Sequence, residues 1–166
     1  APSLVGSVEF ACSKFGTRLV VILGHSQCGA VQATYEALQH PDQSVSENIG
    51  AIAEFIRPSV ESVLDSYRGD DAETIVGLAV RANVRASAAK LRHASDIIES
   101  LERDDGLLIV GAEYSLETGR VDFFDGMPSK ATVKKSYDFL DTARAAEAFL
   151  NGIPAASIYA ILEGIR

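Results

Sequence analysis

The sequence is short of cysteine, of basic residues and of long apolar segments. Of 166 residues two are cysteine, and 15 lysines and arginines stand against 23 aspartates and glutamates, giving a formal net charge of −8. No apolar run reaches the roughly 18 residues of a membrane-spanning helix, and no secretory signal is recognisable at the first residues. The shortage of basic residues argues against nucleic acid and anionic membranes as partners, because both are bound through clustered Lys and Arg.

The two cysteines, Cys12 and Cys28, are too few for a disulfide framework. A chain of this length can bury a core without a disulfide. The number of cysteines by itself does not exclude a single disulfide between the two. We expect a reducing, cytoplasmic location in which both thiols are free for a metal ion. With 47% hydrophobic and 23% charged residues, the composition is typical of a folded soluble domain.

Apolar spacing predicts helices and strands along most of the chain. Predicted helices cover residues 5–15, 28–39, 44–67, 70–93, 95–103, 131–150 and 154–164, and predicted strands cover 18–23, 107–114 and 120–124. This order indicates an α/β domain with a mostly parallel β-sheet flanked by helices. The last two strands are expected to form a hairpin-like pair. We divide the chain into an α/β core over 1–130 and a C-terminal helical extension over 131–166 that packs on the core or on a partner subunit.

Single residues predict where these elements end or bend. Gly16 ends the first helix, Asp70 or Asp71 caps the fourth, and Ser95 caps the fifth. Pro58 lies inside the third helix and predicts a break or kink. The apolar stripe of that helix is formed by Val45, Ile49, Ile52, Ile56, Val60 and Val63. The run RLVVIL at 18–23 is rich in β-branched residues and predicts a buried, parallel strand.

The segment LGHSQCGA at 23–30 is where the sequence carries chemistry. His25 and Cys28 follow a predicted strand and precede a helix, and ligands of open α/β sheets gather at the carboxyl ends of strands. Imidazole and thiolate together suit zinc. Cys28 is placed in the first helical turn, where the helix dipole favours thiolate, and Gly24 and Gly29 would allow close backbone approach. From spacing and context alone, a metal site and ordinary packing stay equally open.

Three other residues of metal-binding type have more ordinary interpretations. His40 follows a helix and is predicted to be a solvated loop residue, and His93 lies near a helix end where positive charge is favourable. Cys12 lies on the apolar stripe of the first helix, which favours core packing. A catalytic zinc needs three protein ligands, so this interpretation leaves the site incomplete. A structural zinc or redox site built from His25, Cys28 and Cys12 is a separate hypothesis.

The segment at 23–30 resembles the G-H-[ST]-x-C-G-[GA] motif of β-class carbonic anhydrases. Residues 6–11 (GSVEFA) resemble the family's helix before that strand, and Asn83-Val84 with the helix that follows resembles the segment before its last core strand. Residues 107–121 are similar to the closing strand pair, written G-x-x-Y-x-x-x-T-G-x-V. The matches occur in the family's order and cover roughly residues 5–125.

This resemblance implies a zinc enzyme that interconverts carbon dioxide and bicarbonate, assembled as a homodimer or larger homo-oligomer. His25 and Cys28 match the family's histidine ligand and its second cysteine ligand. The other cysteine belongs to a C-x-D-x-R segment, whose aspartate and arginine form a catalytic dyad. No such segment occurs in these 166 residues, and Cys12 is followed by Ser-Lys-Phe, which does not match it.

We therefore expect the third ligand and the dyad to lie outside this chain, which would follow directly on a missing first strand. These residues alone should then bind zinc weakly and catalyse poorly. A non-catalytic relative that keeps the fold as an interaction or assembly module is the alternative. The two differ in what precedes Ala1, because the enzyme requires a C-x-D-x-R segment there.

Overall fold

The computed structural model describes residues 2–40 and 46–128, in which helices and strands form one α/β arrangement. The elements in chain order are α1 (Pro2–Phe15), β1 (Leu19–His25), α2 (Gly29–Gln39), α3 (Glu47–Ser66), α4 (Ala72–Arg92), α5 (Asp96–Asp104), β2 (Leu108–Tyr114) and β3 (Val121–Asp125). Each predicted element between residues 5 and 124 is present, with ends that differ by a few residues. The predicted helices over 131–150 and 154–164 lie outside the described residues.

The strands form one three-stranded sheet in the order β1-β2-β3. β1 and β2 are parallel, and His25 at the end of β1 is opposite Tyr114 at the end of β2. β3 is antiparallel to β2, which confirms the predicted hairpin. The sheet in the described ranges is therefore a small mixed sheet, with one parallel pair and a last strand that returns through a tight turn, which agrees with the predicted α/β class.

One face of β1 and β2 packs closely on α4 at positions that carry no side chain. A Cβ placed on Gly24 would lie 2.7 Å from Cγ2 of Val84 and 3.2 Å from Cγ1 of Val80. A Cβ on Gly111 would lie 2.9 Å from Cγ1 of Val84. Glycine at both positions lets the helix approach the strands. The close approach at Gly24 is therefore made by side chains of α4, whereas the sequence predicted it around the metal site.

The opposite face of β1 is open. Val21 and Leu23 alternate with the packed residues of the strand and are 37% and 56% exposed. The apolar run at 18–23 predicted a buried strand, and this is wrong for that face. Apolar side chains in a strand show that it can be covered, but only the packing of other elements decides which face is covered.

Buried apolar side chains fall into two clusters that meet at α4. The first joins α2, α3 and α4 through Val31, Ile56, Val60, Val63, Ile75, Ala79 and Val80. The second joins α1, α4, α5 and β2 through Cys12, Ala88, Ile98, Leu107 and Ile109. Cys12 is 1% exposed, which confirms its predicted packing role. Burial raises the pKa of the Cys12 thiol, and nearby Arg18 offsets part of that rise.

α3 departs from its sequence pattern in two ways. Ile49 and Ile52 of the apolar stripe are 54% and 55% exposed, so only the second half of the stripe is buried. The helix continues through Pro58, so of the predicted break or kink a break does not occur. Buried residues on both sides of the proline hold α3 against α2 and α4. Val45, the first residue of the predicted stripe, lies outside the described residues.

No helix in the described ranges has the length and hydropathy to cross a bilayer.

Side-chain caps begin α4 and α5 as the sequence indicates. Asp71 accepts hydrogen bonds from the hydroxyl and amide of Thr74, and both lower the pKa of the Asp71 carboxyl. Ser95 Oγ accepts a hydrogen bond from the amide of Ile98 at 3.3 Å. Gly16, with φ of 66°, follows the last residue of α1 in the left-handed conformation that glycine favours.

A substitution at Gly24 tests the close packing of α4. Gly24→Ala should lower the free energy of unfolding by about 1–3 kcal/mol, because its Cβ overlaps Val84. Gly77→Ala is the matched control, since Gly77 lies in α4 and a Cβ there would meet nothing within 4 Å. This control should raise stability by about 0.5–1 kcal/mol. Urea denaturation measures both, and an unchanged midpoint for Gly24→Ala would contradict the close approach.

Candidate metal centre

The turn between β1 and α2 is hydrogen-bonded to the end of β2 and to the chain that follows it. It consists of residues 26–28 and comes directly after His25. The amide of Ser26 donates to the carbonyl oxygen of Tyr114 at 2.9 Å, which extends the pairing of β1 with β2 by one step. Ser26 Oγ accepts from the amide of Leu116, also at 2.9 Å.

Gln27, in the middle of this turn, has a left-handed backbone. Its φ is 55°, and no other non-glycine residue in the described ranges has a positive φ. For a residue with a side chain this conformation costs about 1 kcal/mol. The side-chain nitrogen Nε2 of Gln27 donates to a carboxylate oxygen of Glu117 at 3.4 Å, a long and exposed hydrogen bond. The left-handed residue lies in the turn between His25 and Cys28.

His25 is exposed and presents one ring nitrogen without a partner in the described residues. Its Nδ1 lies 2.9 Å from the carbonyl oxygen of Ser26. A carbonyl oxygen can only accept, so this hydrogen bond requires the proton on Nδ1, which in the neutral imidazole leaves the lone pair on Nε2. A histidine held in this tautomer by a backbone carbonyl is prepared to bind a metal through Nε2.

Cys28 is the N-cap of α2, one residue before the first-turn position predicted from the sequence. Its side chain makes no capping hydrogen bond, and its thiol is free and half-buried against the cluster formed by α2, α3 and α4. Gly29, which begins α2, differs from expectation. A Cβ there would meet nothing within 4 Å, so the close backbone approach predicted at Gly29 is not observed.

Cys12 does not join His25 and Cys28. The carbonyl of Cys12 accepts a hydrogen bond from Arg18, just before β1 begins, whereas Cys28 follows the far end of that strand. The 7 residues of β1 span roughly 20 Å. Residues 2–40 and 46–128 contain no group of three His, Cys, Asp or Glu residues arranged to hold a metal. The hypothesis of a site built from Cys12, His25 and Cys28 is therefore wrong, and both thiols are free.

The other two histidines have the structural roles predicted for them. His93 is the C-cap of α4, and its Nδ1 lies 3.0 Å from a carboxylate oxygen of Glu99. His40 is the exposed C-cap of α2, and its amide donates to the carbonyl oxygen of Glu36 at 2.9 Å. Neither is part of the turn between β1 and α2.

An ion-pair cluster beside this turn was not identified from the sequence. Arg81 of α4 donates to Glu113 of β2 at 2.7 Å and also pairs with Asp122 of β3. Burial would lower the pKa of Arg81, but the hydrogen bonds to the two carboxylates outweigh it and raise that pKa. These residues and Ser26 line a shallow cavity of about 530 Å³. No local spacing could have revealed the cluster, because its members lie on three separate elements.

Three comparisons with known proteins agree on one protein family. The sequence model of the carbonic anhydrase family matches residues 1–121. Carbonic anhydrase 2 of Mycobacterium tuberculosis is 31% identical over 122 residues, which cover 71% of this chain and 54% of that protein. The carbonic anhydrase of Mycolicibacterium smegmatis is 32% identical over 124 residues, which cover 72% of this chain and 55% of that protein. The chain spans about half the length of these relatives.

Solved structures share the fold at lower sequence identity. The β-carbonic anhydrase CafA of Aspergillus fumigatus matches with a TM-score of 0.65 and 20% identity over 86% of this chain and 65% of that one. A tetrameric β-carbonic anhydrase of Sordaria macrospora matches with a TM-score of 0.59 and 20% identity, over 75% of this chain and 60% of that one. The chain belongs to the β-class carbonic anhydrase family.

Substitutions of Gln27 test the left-handed turn. Gln27→Gly should change the free energy of unfolding by less than about 0.5 kcal/mol, because relief of backbone strain offsets the added freedom of the unfolded chain. Gln27→Val should lower it by about 1–2 kcal/mol, since a β-branched residue tolerates positive φ poorly. Thermal and urea denaturation measure both variants. Equal stability of the valine and glycine variants would contradict the φ of 55° at this position.

Proposed function

We propose that this protein catalyses the zinc-dependent, reversible hydration of carbon dioxide to bicarbonate and a proton. The observation that carries the proposal is the placement of His25 and Cys28 around one short turn at the carboxyl end of a parallel strand, in a chain of the β-carbonic anhydrase family. Ligand sites of open α/β sheets form at this edge.

The two side chains fit zinc by donor type. An imidazole with Nε2 available as a ligand and a thiol that makes no capping hydrogen bond form a nitrogen and sulfur pair, which zinc prefers. Cys28 lies at the N-terminus of α2, where the helix dipole favours a negative charge. When bound there, the metal would activate a water molecule by lowering the pKa of that water towards neutrality.

His25 and Cys28 would then be two of the three protein ligands. The resemblance assigns the third ligand and an Asp–Arg dyad to a C-x-D-x-R segment, which we expect outside these 166 residues. With two ligands, the 166 residues alone should bind zinc weakly and show little catalysis. The non-catalytic assembly module remains the alternative, and it predicts that no such segment exists in the complete protein.

The face of β1 that carries His25 is apolar. Val21 and Leu23 lie on the same face of β1 as His25 and are exposed. Carbon dioxide carries no net charge and is compatible with an apolar surface, whereas bicarbonate is favoured by water. In this proposal, Cys28 and His25 would hold the metal beside this apolar face.

Ligand substitutions in the full-length protein test the proposal. Cys28→Ser and His25→Ala should each lower carbon dioxide hydration by on the order of 100-fold or more, because even outer-shell changes at metal sites cost 10–100-fold. Bound zinc should fall well below one ion per chain in both variants. Stopped-flow measurement of proton release and elemental analysis of the purified protein give the two readouts.

Cys12→Ala and His93→Ala are the matched controls, since one is buried in the core and the other is an exposed helix cap. Both should keep bound zinc and hydration activity, although Cys12→Ala should lose some stability. Unchanged activity in Cys28→Ser would remove that residue from the site. A full-length protein that neither binds zinc nor hydrates carbon dioxide would favour the assembly module instead.

Assembly is proposed from the family, and location from the two free cysteines. One solved relative, from Sordaria macrospora, is described as tetrameric. We propose that this protein also forms a homodimer or larger homo-oligomer, and that it functions in the cytoplasm with both thiols reduced. Sedimentation of the full-length protein would test the first proposal.

A further inference from the structure

We infer that Ser26 is a positioning residue for the zinc site, holding the turn that carries His25 and Cys28 against the chain that follows β2. This inference rests on the proposed function, because it assigns a role at the same metal centre. Ser26 does not touch the substrate or the metal in this assignment. It acts through the backbone that sets the positions of the two ligands.

Three polar groups of Ser26 are engaged at once. Its amide donates to the carbonyl oxygen of Tyr114 and its Oγ accepts from the amide of Leu116, each at 2.9 Å. Its carbonyl oxygen accepts from Nδ1 of His25 at 2.9 Å. The residue that orients the imidazole is therefore itself fixed to the neighbouring strand end by two hydrogen bonds.

The hydrogen bond to the Ser26 hydroxyl links the two segments beyond the last paired residues of the sheet. The pairing of β1 and β2 ends at His25 and Tyr114. Leu116 lies two residues beyond β2, and its amide has the Ser26 hydroxyl as partner rather than a backbone carbonyl. An alanine at position 26 would remove the acceptor and leave this amide to water, whereas a threonine would retain the hydroxyl.

Apart from Ser26, the side chains of the turn form little hydrogen bonding to the chain after β2. Gln27 is in a left-handed conformation that a flexible turn would tend to leave. In the described ranges, the other side-chain hydrogen bond from the turn to residues 115–118 joins Gln27 to Glu117. At 3.4 Å it is long, and it is exposed. Without the Ser26 hydroxyl, one of the two bonds from Ser26 to the end of β2 and the chain after it is lost, and the carbonyl that holds His25 Nδ1 is less firmly positioned.

Ser26→Ala and Ser26→Thr in the full-length protein test this role. Ser26→Ala should raise the zinc dissociation constant about tenfold, as expected for loss of a group that orients a ligand. Ser26→Thr should stay within about twofold of wild type, because the acceptor is retained. Competition with a chelator of known affinity measures the constant. In cobalt-substituted protein, the visible absorption bands should shift in the alanine variant and stay unchanged in the threonine variant.

Ser95→Ala is the matched control, since Ser95 is half-buried like Ser26 and its hydroxyl also accepts from a backbone amide. It should lower stability through loss of the α5 cap while leaving zinc affinity and the cobalt spectrum unchanged. If Ser26→Ala behaved like Ser95→Ala, losing stability but keeping zinc affinity and spectrum, Ser26 would have a structural role only and the inference would be overturned.

A measurement on the wild-type protein keeps the inference testable even if Ser26→Ala does not fold. If the hydroxyl bond and the metal support one another, zinc must slow hydrogen exchange at the Leu116 amide, because coupling between two sites is reciprocal. Unchanged exchange on zinc loading would contradict the role of Ser26. Loss of zinc in His25→Ala and Cys28→Ser tests the site itself, so the two proposals can fail separately.

Discussion

The parallel pairing of β1 with β2 is the constraint on which the site depends. Because the strands run in the same direction, their carboxyl ends meet at one edge, with His25 opposite Tyr114. The turn after β1 can then be bonded to the chain after β2, as Ser26 is to Leu116. An antiparallel pair would place the start of one strand beside the end of the other, and the turn would have no such neighbour.

α4 supports this pairing from one side of the sheet. It approaches β1 and β2 at glycines, and it contributes to both apolar clusters. Two arginines on α4 reinforce the contact. Arg81 pairs with carboxylates of β2 and β3 near the site, while Arg92 donates to the carbonyl oxygen of Ile109 at 2.6 Å and pairs with Asp125. Breaking a partly buried pair of this kind leaves a charge without its partner, which is costly.

Local features were well predicted because they depend on neighbouring residues. Helix positions, the caps at Asp71 and Ser95 and the hairpin after β2 follow from spacing and turn chemistry within a few residues. The errors concern packing. Pro58 does not break α3, and one face of β1 is exposed, because distant elements decide which surfaces are covered and which helices are held together.

For the candidate site, the sequence by itself indicated the residue pair and the protein family. His25 and Cys28 lie three positions apart after an apolar strand, and their surroundings match the β-carbonic anhydrases. Only the tertiary structure decided that Cys12 lies at the other end of β1 and that His25 is held through Nδ1. It alone brought Leu116 to Ser26 across 90 positions of sequence. The spacing of residues in the sequence indicates contacts between residues that are close along the chain. Contacts between distant segments arise only when the strands pair.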